Sequence, residues 1–236
     1  MGFKTNFYGL KGYLELAKNK KEAAEKDLSK AYEMGVEKPA YLVAYGTLLM
    51  QKGEYAKCKE VYEKAMESLG VNVMYYTAIK CSLITCDYKL GNAEKALNDA
   101  QEVFNEFKNS TTYVTYGYLL MAQEMTEKAL EINKEAFEYD PDDVAICDNL
   151  GQTYYKLKDM QNAEIYFQKA LEIKRGMIDS CYFLAQIRLE QGKTKEAFEL
   201  LDDAIDSGFS ALTTVTKEEL TQKYDEVKKL LEKDND

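Results

Sequence analysis

Histidine, the side chain that most often serves as a catalytic base or a zinc ligand, is absent from all 236 residues. The chain therefore cannot form a Ser–His–Asp triad, a Cys–His pair or the H-E-x-x-H zinc motif by itself. The adjacent carboxylates Asp202-Asp203 and Glu218-Glu219 would point about 100° apart on a helix, which indicates solvated surface residues. The sequence predicts that this protein is not an enzyme.

The sequence also gives little support for a metal site. The cysteines are odd in number and widely spaced, and no C-x-x-C motif occurs; they are Cys58, Cys81, Cys86, Cys147 and Cys181. The acidic segment Asp140-Pro141-Asp142-Asp143 lacks the glycine and the terminal glutamate of a calcium loop, and it is typical of a turn before a helix. We expect no metal and no cofactor, and we interpret the cysteines as buried, reduced thiols of a cytoplasmic or cytoplasm-facing protein.

Charge and hydropathy exclude two further classes of partner. The net charge is −10, and residues 196–236 hold twelve acids and five bases, a net of −7. Because no basic stripe exists, neither nucleic acid nor an anionic membrane surface is an expected partner. No apolar run of about 18 residues is present, so we expect no direct membrane insertion of this chain.

The most informative pattern is a repeat of small residues. Leu150-Gly151-x-x-Tyr154 is followed by small residues on what would be the second helix of a pair. The same pattern recurs 34 residues away in both directions. In the unit that begins with this pattern, the later positions are Ala163, Phe167 and Ala170. The copy upstream has Gly117, Ala129, Ala136 and Pro141, and the copy downstream has Leu184, Ala185, Gly192, Ala197, Leu201 and Ala204. Gly or Ala at a helix crossing lets two backbones approach closely, which indicates stacked helix pairs.

This pattern resembles the tetratricopeptide repeat, in a bacterial-type form with six repeats and a C-terminal capping helix. The resemblance implies an all-α fold, a right-handed superhelical solenoid of antiparallel helix pairs. It places the repeats within residues 5–211, as 5–38, 39–72, 73–109, 110–143, 144–177 and 178–211. The third repeat is the least regular, because Ile84 replaces the small eighth residue and its first helix begins near Asn72.

The two ends of the chain carry separate predictions. Residues 212–236 are expected to form a capping helix and an acidic tail, with a Thr216–Glu219 capping box. Its packing face would consist of Leu220, Tyr224, Val227, Leu230 and Leu231. Residues 1–4 are either a natural start or the cut edge of a longer protein, from which an upstream membrane anchor could be missing.

In tetratricopeptide proteins, the first helix of each repeat lines a concave groove with its second, fifth, sixth, ninth, twelfth and thirteenth slots, and this resemblance implies a set of groove residues. They are Tyr13, Thr47, Met50, Thr85, Tyr88, Thr115, Tyr118, Met121, Asn149, Gln152, Tyr155, Tyr182 and Gln186. This lining is aromatic, amide- and hydroxyl-rich and almost uncharged. The fifth slots hold no basic residue, which argues against the carboxylate clamp that binds chaperone tails.

We therefore expect a non-enzymatic scaffold that binds a partner peptide or helix in the groove. An alternative is a sensor of a short signalling peptide, although the chain shows no DNA-binding or effector segment. A further alternative is a self-associating structural module, a homo-oligomer formed through the first repeat. Partner identity, pathway and oligomeric state do not follow from the residues.

Overall fold

The computed structural model describes residues 2–68 and 73–234, and these residues form helices joined by short connections, with no strand among them. The chain divides into two compact parts, with the boundary between Phe107 and Lys108. The predicted all-α repeat fold is confirmed.

Each part consists of antiparallel helix pairs. The N-terminal part contains α1 (Gly2–Ala17), α2 (Lys21–Glu33), α3 (Pro39–Gln51), α4 (Tyr55–Glu67), α5 (Val73–Lys89) and α6 (Ala93–Glu106). The C-terminal part contains α7 (Ser110–Ala122), α8 (Thr126–Tyr139), α9 (Val144–Lys156), α10 (Met160–Ile173), α11 (Ile178–Glu190), α12 (Thr194–Ile205) and α13 (Lys217–Asp234). The predicted start of α5 near Asn72 lies outside the described residues.

The small residues of the repeat pattern lie where the two helices of a pair cross. A Cβ atom added to Gly151 would lie 2.6 Å from the ring of Phe167, and one added to Gly46 would lie 2.7 Å from the ring of Tyr62. The two members of each contact are 16 residues apart. In the third repeat the corresponding positions are Ile84 and Ala100, so the large residue is on the first helix and the small one on the second. This exchange explains how an irregular repeat keeps a buried crossing, since both residues are at most 3% exposed.

The turns between paired helices need one residue in the left-handed region. Gly53, Gly91 and Gly192 take this conformation, with φ between 72° and 91°. In the fourth and fifth repeats, Glu124 and Lys158 take it instead, with φ of 58° and 63°. A side chain is strained there, so the turn is set by the packing of the helices around it rather than by local preference.

The C-terminal helix α13 packs on α12 and covers the apolar face of the last repeat. Its start is the predicted capping box, because the Glu219 carboxylate accepts the backbone N–H of Thr216 and the Thr216 hydroxyl accepts the N–H of Glu219. Leu220 and Val227 are buried, but Leu230 is 41% exposed. The prediction that Leu230 belongs to the packing face is wrong, because at 100° per residue Leu230 lies about 80° around the helix axis from Leu220.

Candidate functional site

The first helices of the C-terminal part form a shared surface, because α7 contacts α9 and α9 contacts α11. Most of the predicted groove residues lie on these three helices. We refer to this surface as the first-helix face. Its residues fall into a buried group and a partly exposed group, and the two groups differ in what they can contact.

On α7, the three predicted residues are buried within the protein. Thr115, Tyr118 and Met121 are each at most 5% exposed. The Thr115 hydroxyl donates to the Thr111 carbonyl at 2.9 Å, and the Met121 sulfur accepts a hydrogen bond from the Thr153 hydroxyl at 2.9 Å. In this conformation, α7 therefore exposes little of these three side chains, and Met121 contacts the neighbouring helix α9.

The two predicted amides on α9 are also buried, each 4% exposed. The Asn149 side chain donates to the Val114 carbonyl at 3.0 Å, which ties α9 to α7. The Gln152 side-chain N–H₂ group donates to Asp148 at 2.7 Å and to Asp179 at 3.3 Å. Gln152 thus links its own helix α9 to α11 through the Asp179 carboxylate.

Asp148 and Asp179 form a buried acidic pair, 3% and 1% exposed. Asp148 accepts a short hydrogen bond of 2.5 Å from the Ser180 hydroxyl in addition to the bond from Gln152. Burial, followed by the charge of Asp179, raises the pKa of Asp148 to about 7. Asp179 accepts backbone N–H groups from the segment before α13, at 2.9 to 3.1 Å. Because its pKa is raised, the Asp148 carboxyl keeps a proton up to about pH 7.

A second, partly exposed group lies beside this network. Tyr155, Tyr182, Phe183 and Gln186 are each half-buried. The Tyr155 hydroxyl donates to the Gln186 carbonyl oxygen at 3.4 Å, and the Tyr155 and Phe183 rings are 5.0 Å apart. Tyr182 packs edge-on against Phe183 at 5.5 Å. These four residues form one aromatic–amide patch, which has both apolar area and hydrogen-bonding groups to offer.

The charged side chains nearest to this patch lie at its edges. Burial, then the nearby Glu190 carboxylate, raises the pKa of Tyr155. Burial raises the pKa of Tyr182 as well, with Lys223 and Glu219 of α13 acting in opposite directions. Both phenols therefore remain neutral hydrogen-bond donors at physiological pH.

In the N-terminal part the predicted residues are more scattered. Tyr13 is 42% exposed and contacts the ring of Tyr41 at 6.1 Å. Thr47 is exposed, and its hydroxyl donates to the Val43 carbonyl at 2.9 Å. The remaining three predicted residues range from buried to half-buried: Thr85 is 4% exposed, and Met50 and Tyr88 are half-buried. Of these five predicted residues, Tyr13 and Thr47 are the most accessible to solvent.

Four network residues are missing from the sequence-based set: Asp148, Asp179, Ser180 and Thr214. Asp179 stands at the second slot of the sixth repeat, one of the slots that the resemblance assigns to ligands, so the repeat register could have identified it. Ser180 is next to it in sequence. Thr214 belongs to a non-repeating connection, and no periodic signal points to it.

The described residues show no group of three His, Cys, Asp or Glu side chains that could hold a metal ion. All five cysteines are buried thiols. Among the described residues, no helix has the length and hydropathy needed to cross a membrane.

Known proteins resemble this chain in sequence and in structure. The tetratricopeptide repeat family matches residues 39–68 and 144–176. Tetratricopeptide repeat protein 21B of Xenopus laevis is 26% identical over 166 residues, which cover 70% of this chain and 12% of that relative's length. The chain thus spans about an eighth of the relative.

Solved structures share the fold at low sequence identity. A thermophilic TPR protein of Thermus thermophilus, TTC0263, aligns with a TM-score of 0.64 and 18% identity, over 80% of this chain and 98% of that one. The Cut9–Hcn1 hetero-tetramer of APC/C aligns with a TM-score of 0.72 and 16% identity, over 95% of this chain and 43% of that one. The repeat register, the stacked helix pairs and the family match over residues 39–68 and 144–176 show that this chain contains tetratricopeptide repeats.

Proposed function

We propose that this protein is a non-enzymatic scaffold that binds a segment of a partner protein on the first-helix face. Tetratricopeptide repeat proteins generally act in protein–protein interaction, which supports the class of function. The observation that carries the proposal is the aromatic–amide patch, which combines half-buried aromatic rings with amide and hydroxyl groups on adjacent repeats. Aromatic anchors of this kind carry a large share of the binding energy at protein interfaces.

The chemistry of the patch favours a largely neutral partner segment. Phenol hydroxyls and the Gln186 amide can pair with a peptide backbone, and the rings can cover apolar side chains. The charged groups lie at the border of the patch, where salt screens their effect. We therefore expect partner affinity to change little between low and moderate salt.

Photo-crosslinking tests this proposal directly. A benzophenone side chain at Tyr182 should form an adduct with a specific partner in the source cell. The same group at Ile165, which is 51% exposed on α10, is the matched control and should not. Tyr155→Ala combined with Gln186→Ala should abolish the adduct at Tyr182. Equal adducts at both positions, or an adduct unchanged in the double variant, would contradict binding at the patch.

The same experiment separates the scaffold from a peptide sensor. An adduct whose mass increase corresponds to a folded protein supports the scaffold. An increase of about ten residues or fewer supports a sensor of a short signalling peptide, which binds by the same extended-peptide chemistry.

One observation favours an additional role in self-association. Phe7, Leu10 and Leu14 are spaced as one face of α1, and they are between 48% and 53% exposed. The residues 34 positions later on α3, Tyr41, Ala44 and Leu48, are at most 6% exposed because the preceding repeat packs on them. We propose that a second copy of the chain covers the α1 face.

Sedimentation can test this self-association. Phe7→Glu with Leu14→Glu should convert a concentration-dependent dimer into a monomer. Ile165→Glu, which places a charge on another exposed apolar residue, should leave the dimer intact. A wild-type protein that is monomeric at about 100 µM would overturn the proposal, since a specific interface of useful affinity would be occupied there.

A further inference from the structure

The connection between α12 and α13 crosses the first-helix face. We refer to residues 212–216 of this connection as the strap. The backbone N–H groups of Thr214 and Val215 both donate to the Asp179 carboxylate on α11, at 2.9 to 3.1 Å. The Thr214 hydroxyl donates to the Gln152 carbonyl oxygen on α9 at 2.8 Å. One strap residue therefore reaches the first helices of two consecutive repeats.

The side chains that hold the strap occupy groove slots. In the repeat register, Asp148 and Gln152 are the fifth and ninth residues of the fifth repeat, and Asp179 is the second residue of the sixth. The family resemblance assigns these slots to ligand contacts. In this structure the Asp179 slot binds the chain's own backbone, and the Gln152 slot binds the Thr214 hydroxyl.

The strap-binding group is a built site. Asp148, Gln152, Asp179 and Ser180 are each at most 4% exposed, and hydrogen bonds connect all four. The site presents two acceptors in fixed positions. The Asp179 carboxylate accepts two consecutive backbone N–H groups, and the Gln152 carbonyl accepts a hydroxyl. The matching ligand is a short bent segment whose two successive N–H groups point to the same side, with Thr or Ser at the first position and a residue other than proline at the second.

The strap is bound on one side only. Val215 is buried at 4% exposure, whereas Thr214 and Thr216 are exposed and Leu212 and Thr213 are half-buried. Segments held by a few polar bonds and one apolar side chain belong to the low-stability part of a structure and can open without global unfolding.

We propose that the strap is a displaceable intramolecular ligand, and that Gln152 and Asp179 form a binding site for a bent, hydroxyl-bearing segment of a partner. This inference rests on the proposed function, because it assigns a ligand chemistry to the first-helix face. It also gives the site a built-in competitor. A partner segment must outcompete a strap whose effective concentration is on the order of millimolar, because both ends of the strap are tethered.

A peptide titration tests the site. The probe is a blocked peptide with the sequence of residues 210–216, Ser-Ala-Leu-Thr-Thr-Val-Thr. The full chain carrying Thr214→Gly and Val215→Gly retains the backbone N–H groups but loses the hydroxyl and the buried valine. This variant should bind the peptide at least about tenfold more tightly than the wild type, because its own strap competes poorly.

The matched control peptide carries valine in place of the threonine that corresponds to Thr214. It has nearly the same shape but no hydroxyl, so it should bind the variant about tenfold more weakly. Equal binding of the two peptides would overturn the assigned chemistry. Absence of binding to a variant with unchanged helical content would overturn the site itself.

Hydrogen exchange of the wild-type protein supplies a second measurement that needs no variant. The amides of Thr214 and Val215 should exchange faster than the amides in the middle of α9 and α11, because the strap opens locally. Exchange of all these amides at one rate would show that the strap opens only with global unfolding, which would overturn displaceability. The crosslink at Tyr182 could still form in that case, so failure of this inference is distinguishable from failure of the proposed function.

Discussion

The buried carboxylate of Asp148 should make the stability of this protein depend on pH in a predictable direction. Asn at position 148 has nearly the shape of the acid, and its carbonyl oxygen can accept from Gln152, whereas its N–H₂ group would replace the oxygen that accepts from Ser180. The variant Asp148→Asn therefore removes the titration, and the altered contact with Ser180 changes stability by an amount that does not depend on pH.

The sign follows from the raised pKa. In the folded protein the pKa of Asp148 is about 7, and its reference value is 3.8. Between these values the unfolded chain loses the proton while the folded chain keeps it, so wild-type stability decreases as pH rises and becomes constant above about pH 7. The full difference corresponds to about 4 kcal/mol, and the part between about pH 5 and pH 8 to about 3 kcal/mol.

Urea unfolding followed by circular dichroism at these two pH values measures the effect. The free energy of unfolding of Asp148→Asn, relative to wild type, should increase by about 3 kcal/mol from about pH 5 to pH 8. Asp142→Asn, whose side chain is 88% exposed, is the control and should show no such increase. Titrating groups that do not interact with the substituted position behave alike in the three proteins and cancel, whereas Asp179 is coupled to Asp148 and contributes to the same difference. Parallel pH profiles for wild type and Asp148→Asn would refute the assignment of a proton to Asp148.

Three further predictions concern the repeats and the cap, and urea unfolding checks each of them. Gly151→Ala should destabilise the protein by about 1–3 kcal/mol, because the new Cβ would lie 2.6 Å from Phe167. Gly208→Ala is the control and should be nearly neutral, because a Cβ there meets nothing within 4 Å. Equal effects of the two substitutions would contradict the argument that Gly151 is needed at the helix crossing. Lys158→Gly should stabilise the protein by up to about 1 kcal/mol, because it removes a side chain from the left-handed region. Gly192→Lys, at the matching turn of the next repeat, should destabilise the protein by a similar amount. Stability changes of the same sign would be inconsistent with strain at these turns. Val227→Asp should destabilise the protein by about 3 kcal/mol or more, because it buries a charge, whereas Leu230→Asp should change stability by less than about 0.5 kcal/mol. A large loss of stability for Leu230→Asp would show that the other face of α13 packs on the last repeat.

The fold could be predicted from the sequence because its main constraint acts at fixed spacing. Gly117 and Gly151 leave no room for a side chain at the helix crossing, so the 34-residue period records a packing requirement. Even the irregular third repeat follows it, with the large and small residues exchanged between Ile84 and Ala100.

The candidate site could be predicted only in part. The register places Asn149 and Gln152 on the first-helix face, but whether they are exposed depends on what packs against them. Asn149 is buried by the neighbouring helix α7, and Gln152 by the strap. The strap lies outside the repeats, so periodicity carries no information on it. The proton on Asp148 depends in turn on this burial, and for that reason the charge pattern of the sequence could not reveal it.

The bond from Thr214 to Gln152 also has a consequence for how the protein unfolds. It joins residues 62 positions apart, whereas the bond from Ser180 to Asp148, between adjacent repeats, joins residues 32 apart. Stacked repeats usually interact only with nearest neighbours, so their ends can fray one repeat at a time. Here the fifth repeat is connected to the segment that follows the sixth. While the strap is bound, the fifth and sixth repeats and α13 are therefore coupled beyond nearest neighbours. Stepwise fraying of the C-terminal end should begin only after the strap has opened.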